Sequence, residues 1–294
     1  MSDASLPPTA SSPPDPPDDG VGASGGRPSE SAGGTEPILE LGGVTKRFGG
    51  LPAVDNLSFG VRRGEVLGII GPNGAGKTTL IGLIAGSLAP TAGSIVYDGQ
   101  EIVRLAPHQR AHRGIARTFQ VTQPFAGLDV RENVVVGAFF GRRERLSRAQ
   151  ALRIADEVLE RVHLAHKARL KGDQLTVADR KRLEMARALA TEPRLLLLDE
   201  VMAGLNPAEI EQAVALIRAI NRSGVTVLVV EHIMKAIKGV SDRILVLHHG
   251  RKIAEDAPDA VLSDPRVIEA YLGERYARGQ QNTQAFQELE GEII

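Results

Sequence analysis

The segment that most restricts what this chain can fold into is GPNGAGKT, Gly71 to Thr78. It follows GEVLGII (64–70), a short apolar run bounded by glycine that suits a buried parallel strand. It precedes KTTLIGLIAGSLAP, which has a helical period and an expected stop at Pro90. Strand, glycine turn of the form G-x-x-x-x-G-K-[ST] and helix together describe a phosphate cradle. Gly71, Gly74 and Gly76 let the backbone wrap closely around an anion, while Pro72, Asn73 and Ala75 complete the loop. The helix N-terminus adds positive potential. Lys77 is placed to reach β- and γ-phosphates, Thr78 to offer a hydroxyl to Mg2+, and Thr79 to line the same turn. The expected ligands of this loop are the phosphates of a nucleotide and Mg2+.

A second segment, PRLLLLDE, reads as a buried strand closing on Asp199 and Glu200. Such a strand carries its acids to the carboxyl edge of the sheet, beside the phosphate loop. There Asp199 is expected to hold Mg2+ through a water. Glu200 is expected to orient or deprotonate the attacking water. GVTVLVVEH ends a further strand at Glu231 and His232. A lone histidine is more often structural, but at this edge His232 would reach the γ-phosphate.

The rest of the chain alternates in the same manner. ILELGGVTKRF and AVDNLSFGV are strand-like, AGSIVYDGQEI is a strand and turn, and PHQRAHRG suits a short helix before IARTFQ. From Arg148 to Lys167, Ala151, Ile154, Ala155, Val158, Leu159 and Val162 form an apolar helix face. NPAEIEQAVALIRAIN is a helix with Pro207 near its start, DRILVLHHGRKIAE a hairpin, and short helices follow from about Asp259 to Glu274. Near-continuous apolar strands between helices indicate one α/β domain with a parallel sheet, and no internal repeat suggests a second. Residues 1–36 are rich in Pro, Ser, Gly and Asp and are expected to be a disordered tail; residues 275–294 are polar and expected to be flexible.

Composition narrows the chemistry. The 294 residues include no cysteine, which excludes disulfides and thiol catalysis. A net charge of −1 with mixed signs supplies no footprint for nucleic acid, and none is expected as a partner. No apolar run is long enough to span a bilayer, and no secretory signal is recognisable. Work at a membrane would therefore require a partner.

These motifs resemble those of the ATP-binding cassette (ABC) ATPases, over roughly Ile38 to Glu274. The resemblance implies a P-loop NTPase fold: a RecA-like α/β core, an antiparallel β subdomain, and a helical subdomain at about 122–175, within a nucleotide-binding domain of residues 37–274. Phe48, in KRFGG, resembles the aromatic that stacks on adenine. Gln120, in ARTFQ, resembles the glutamine that touches Mg2+ and the attacking water and relays to the membrane subunits. LTVADRKR stands in the signature position, AGLN (203–206) in the D-loop, and His232 resembles the switch histidine. KRFGGLPAVDNLSF, IARTFQ, EVMAGLNPAE and VVEHIMKAI are similar to ATPase subunits of bacterial importers of branched-chain (hydrophobic) amino acids. Related uptake systems for urea, amides or aromatic acids would look alike.

The resemblance further implies a head-to-tail dimer with a second ABC ATPase subunit, holding two ATPs between the subunits. Two permease subunits would insert a coupling helix between the core and the helical subdomain, with a solute-binding protein acting indirectly. The expected location is the cytoplasmic face of the inner membrane, peripherally. A soluble non-transport ABC ATPase, or an ATP-binding clamp with weak hydrolysis, are the alternatives.

The clamp alternative comes from the signature. The family consensus is Leu-Ser-Gly-Gly-Gln, whereas this chain has Leu175-Thr176-Val177-Ala178-Asp179. Thr176 keeps a hydroxyl for the ATP held by the partner, and Thr-x-x-Asp retains the form of a capping box. Val177 and Ala178 reduce clearance. A carboxylate about 6 Å from a phosphate charge costs about 3 kcal/mol at an effective dielectric near 20. Capping and the neighbouring Arg180, Lys181 and Arg182 are expected to cut that to about a third. Since this signature serves the partner's nucleotide, the expectation is an asymmetric heterodimer in which the partner's ATP turns over slowly. Asn206, where many D-loops carry Asp, adds mild support.

Overall fold

Alternation in the central strands builds two cores from one sheet. In the computed structural model, which describes residues 36–118, 124–125, 127–142 and 144–272, six strands line up as β10-β9-β3-β8-β7-β6. They are β3 (Val66–Ile70), β6 (Ile115–Arg117), β7 (Leu195–Asp199), β8 (Thr226–Val230), β9 (Arg243–His248) and β10 (Arg251–Asp256). Pairing is parallel from β9 through β6, and only β10 runs antiparallel. Leu67, Ile69, Leu195, Leu197, Leu228, Val230, Leu245 and Leu247 face one side. Val66, Ile70, Leu196, Leu198, Val227, Val229, Ile244 and Val246 face the other. Both sets are essentially inaccessible, which is why these strands are apolar at every position rather than at alternate ones.

The first side is covered by helix α1 (Lys77–Ala85) and by a second, antiparallel sheet, in the order β2-β1-β4-β5. This sheet contains β1 (Pro37–Phe48), β2 (Leu51–Arg62), β4 (Ala92–Tyr97) and β5 (Gln100–Glu101). The second side is covered by α5 (Val177–Leu189), α6 (Pro207–Arg222) and α7 (Met234–Val240). Two further helices, α3 (Val130–Gly141) and α4 (Arg148–Arg161), pack on each other and on α5. Short helices α8 (Pro258–Leu262) and α9 (Pro265–Leu272) follow β10. The architecture is therefore the α/β P-loop type with antiparallel β and helical additions.

Several expectations shift. Helix α1 ends at Gly86 rather than running to Pro90, because Gly86 takes a left-handed φ of 86° and returns its N–H to the Gly82 carbonyl. Helix α4 stops at Arg161, and Ala165–Lys167 is a separate 3-10 turn. The sequence reading did not anticipate α3, whose Asp129 cap and Glu132 form a reciprocal box. The tails expected at 1–36 and 275–294 lie, apart from Glu36, outside the described residues.

One buried cation holds the base of α1. Arg110, on the short helix α2 (Pro107–Ala111), is only 1% exposed. Its guanidinium donates to the carbonyls of Leu83 (2.6 Å), Ile84 (2.9 Å), Leu105 (3.1 Å) and Val103 (3.1 Å). The first two are carbonyls of the last turn of α1, which lack partners along the helix. Burial lowers the Arg110 pKa. Replacing Arg110 by Met should leave these carbonyls unpaired and cost about 3 kcal/mol in urea unfolding.

Candidate active site

Strand order decides which loops meet. Strand β8 lies between β3 and β7, pairing Ile69 with Val230 on one side and Asp199 with Val230 on the other. The phosphate loop and the Asp199–Glu200 pair thus end strands separated by one other. The Glu231–His232 pair stands between them. A single cleft of about 440 Å3 is lined by Phe48, Ala53, Asn73 to Thr79, Glu200 and His232.

Two of the loop's glycines, Gly71 and Gly76, are required by close approach. A Cβ on Gly71 would stand 2.2 Å from the Leu247 carbonyl oxygen. One on Gly76, where φ is 102°, would stand 2.3 Å from that of Ala53. Gly76 then opens α1, whose first residue is Lys77. The Lys77 ammonium donates to the carbonyls of Gly71 (2.6 Å) and Pro72 (3.0 Å), fastening it to the first turn of the loop. Burial lowers its pKa, opposed by Glu200 and Asp199. Thr78 is exposed in the cleft. Phe48 closes the end of β1 with half its surface free, and the Lys46 ammonium lies 5.1 Å from its ring centre.

The two acids have different surroundings. Asp199 is fully buried, and neither carboxylate oxygen has a hydrogen bond among the described residues. Arg117 approaches only to 4.0 Å. Burial and then the charge of Glu200 push the Asp199 pKa up, with Arg117, Lys77 and Lys181 opposing. A buried carboxylate without hydrogen bonds is costly unless positive charge meets it closely, so Asp199 with the exposed Thr78 hydroxyl fits a divalent cation. Glu200 sits at a left-handed φ of 51°, rare for a residue with a side chain. Its N–H donates to the Val230 carbonyl (2.9 Å), and its own carbonyl accepts from Lys181 (2.9 Å). One carboxylate oxygen lies 2.8 Å from His232 Nε2.

Thr176 does not line this cleft. It caps α5, accepting the Asp179 N–H at 3.2 Å. The reciprocal half of the expected box is absent: the Asp179 carboxylate accepts instead from the Thr176 hydroxyl (2.9 Å) and the Lys167 ammonium (2.5 Å). Nor do the neighbouring cations act as expected. Arg182 approaches Asp179 at 3.6 Å, but Lys181 turns to the Glu200 carbonyl and Arg180 to that of Asp173. Burial would raise the Asp179 pKa; the bonds from Lys167 and Thr176 and nearby positive charge outweigh it and hold the carboxyl below its usual range. Asp179 is thus buried at 4% exposure and neutralised from behind. Val177, at 56%, is the departure left on the surface. Asn206 also has a local task, since it caps α6 in a reciprocal box with Glu209.

Gln120 lies outside the described residues. A groove of about 370 Å3 runs between the core and the added helices, lined by Ala85, Arg117, Gly137, Phe140, Glu184 and Arg187 among others. Phe140 is 76% exposed on its rim.

Comparison with known proteins accords with this geometry. The family described as ABC transporter matches residues 54–203, just over half the chain. The chain belongs to the ABC transporter ATPases. A second family, described as branched-chain amino acid ATP-binding cassette transporter, matches residues 251–277. The high-affinity branched-chain amino acid transport ATP-binding protein BraF of Pseudomonas aeruginosa is 40% identical over 82% of this chain and 99% of its own. LivG of Escherichia coli K12, described in the same words, is 39% identical with the same coverage. Among solved structures, the ADP conformation of MJ1267, an ABC transporter cassette, matches with a TM-score of 0.75 at 33% identity over 82% of this chain and all of its own. A dimeric cassette, MJ0796, bound to ADP and Pi matches with a TM-score of 0.69 at 28% identity over 75% of this chain and 99% of its own. Like these relatives, this ABC cassette is an ATP-hydrolysing transport subunit.

Sequence reading missed Lys167, twelve residues before Asp179 on a 3-10 turn, because no local pattern links the two. It also missed Thr118, whose hydroxyl accepts the Asp199 N–H at 3.2 Å. Lys167→Met should lower stability at pH 7 by about 2 kcal/mol by stranding a buried carboxylate. A carboxyl held low stabilises above its usual pKa of about 4 and loses that contribution as pH falls. The gap between Lys167→Met and the parent in urea unfolding should therefore narrow on acidification from pH 7.

Proposed function

We propose that this cassette energises an importer for branched-chain amino acids or related small polar solutes, through separate permease subunits that hold it peripherally at the cytoplasmic face of the membrane. The observation that carries this is the convergence of the phosphate loop, Glu200, His232 and Phe48 on one cleft, in a chain similar to BraF and LivG over most of its length. Among the described residues no helix is long and apolar enough to cross a membrane, so permeases are separate chains in this reading. The groove beside Phe140 offers them a place to dock.

The chemistry follows from the cleft. Phe48 stacks on adenine while loop N–H groups and Lys77 bind the phosphates. Thr78 and Asp199, with Gln120, would hold Mg2+, which when bound neutralises phosphate charge. Glu200 accepts a proton from the attacking water, and His232, 2.8 Å away, orients that carboxylate. Thr176 and the start of α5 face the nucleotide of a partner cassette, as the N-terminus of a helix can. Because Asp179 is neutralised by Lys167, the partner's nucleotide meets lost clearance at Val177 rather than added negative charge. The heterodimer with a slower partner site rests on that side chain.

The test is reconstitution with permease and binding-protein subunits of such an importer. Leucine, isoleucine or valine should stimulate ATP hydrolysis, and Glu200→Gln should keep ATP binding while lowering kcat by about 10²- to 10⁴-fold. No response to any of the three amino acids sinks the solute reading. Mutating the partner's catalytic glutamate should do less than Glu200→Gln; equal losses rule out asymmetry. Val177→Gly should raise turnover at the partner's site.

A further inference from the structure

The last residue pair after β8 divides its attention. His232 reaches the carboxylate of Glu200. Glu231 turns the other way, into the interior, where it is 1% exposed. Its Oε1 accepts the backbone N–H of Met202 at 2.8 Å. A carboxylate at the end of an apolar strand is expensive to bury, and an apolar side chain would fill the space at lower cost. Burial, partly offset by hydrogen bonds from the Met202 and His232 N–H groups, raises the Glu231 pKa to about 7.

The segment that Glu231 holds is the one immediately after Glu200. Val201 and Met202 are buried at 2% and 0%, whereas Ala203 and Gly204 are exposed. The turn thus has a buried foot and a free tip. Glu200 enters it with a left-handed φ of 51°, a conformation that persists only where neighbours impose it. Its N–H is held by Val230, its carbonyl by Lys181, and two residues on the Met202 N–H is held by Glu231. The charged groups around Glu231 are Glu200 and Lys181, and His232 is its chain neighbour.

We infer that Glu231 is a positioning residue for hydrolysis: by fixing the Met202 N–H, it holds the turn that sets the orientation of Glu200 against His232. This rests on the reading of Glu200 as the base. Glu231 and His232 then act as adjacent anchors, one on the reacting carboxylate and one on the backbone behind it. Any displacement of the exposed tip at Ala203–Gly204 passes through Met202, so the same bond couples that tip to Glu200.

The experiment compares Glu231→Leu and Glu231→Gln in the full chain, purified with its co-expressed subunits, with Glu200→Gln alongside. Leucine removes the acceptor and keeps the bulk; glutamine keeps an acceptor oxygen and removes the charge. The expected result is a kcat lowered by about 10- to 100-fold in Glu231→Leu, with KM for ATP and affinity for a fluorescent ADP analogue unchanged. Glu231→Gln should recover most of that loss. Should the leucine chain fail to fold, Glu231→Ala takes its place, read below its melting temperature. The inference is overturned if kcat is unchanged in the acceptor-free variants, if glutamine is no better than leucine, or if activity merely follows the folded fraction. If Glu200→Gln itself retains hydrolysis, the reading of the base has failed, and that outcome is separate from any result at Glu231.

Discussion

The site depends on where the parallel strands end. Val230 pairs with Ile69 across one ladder and with Asp199 across the other. Because parallel strands share direction, their carboxyl ends open at one edge. Three chain segments far apart in sequence are thereby brought level: the phosphate loop after β3, Glu231–His232 after β8, and Asp199–Glu200 at the end of β7. A shift of register in either ladder would carry one set of side chains out of reach and turn its strand's core residues the wrong way.

Buried charge is managed differently from place to place in the fold. Asp199 has no hydrogen bond to either carboxylate oxygen among the described residues. Glu231 and Asp179 are spent on structure, the first on the Met202 N–H and the second on Lys167 and Thr176. Arg110 is likewise consumed by the carbonyls that end α1. Of these four buried ionisable groups, three hold backbone or helix ends, and Asp199 alone has no hydrogen bond among the described residues. Residue type does not distinguish these tasks; only the partner does.

Much of the site was legible in the letters. Gly71 to Thr79 announce a phosphate loop because the backbone geometry needs glycine at defined places, and a Cβ at Gly71 or Gly76 collides with a neighbouring carbonyl. LLLLDE and VTVLVVEH announce strand ends because a short apolar run stops at an ionisable residue, even though Asp199 and Glu231 are themselves buried. The signature was only half legible. Thr176 caps its helix as its type suggested, but Asp179 is compensated by Lys167, which belongs to another turn and another packing layer. The end of α1 was misplaced for a similar reason: Arg110 satisfies its last carbonyls, which lets the helix stop at Gly86 before Pro90.

Sequence alone determined the class of fold, the ATP-binding loop and the acids and histidine of the edge. Each of these follows from local rules: period, glycine placement and the chemistry of side chains at strand ends. Tertiary structure decided that β8 lies between β3 and β7, that Asp199 lacks hydrogen bonds among the described residues while Asp179 is neutralised, and that Glu231 holds the Met202 N–H. Those outcomes depend on which surfaces pack together. A charge's pKa and its hydrogen-bond partners are properties of neighbours drawn from distant parts of the chain, so no local stretch of sequence contains them.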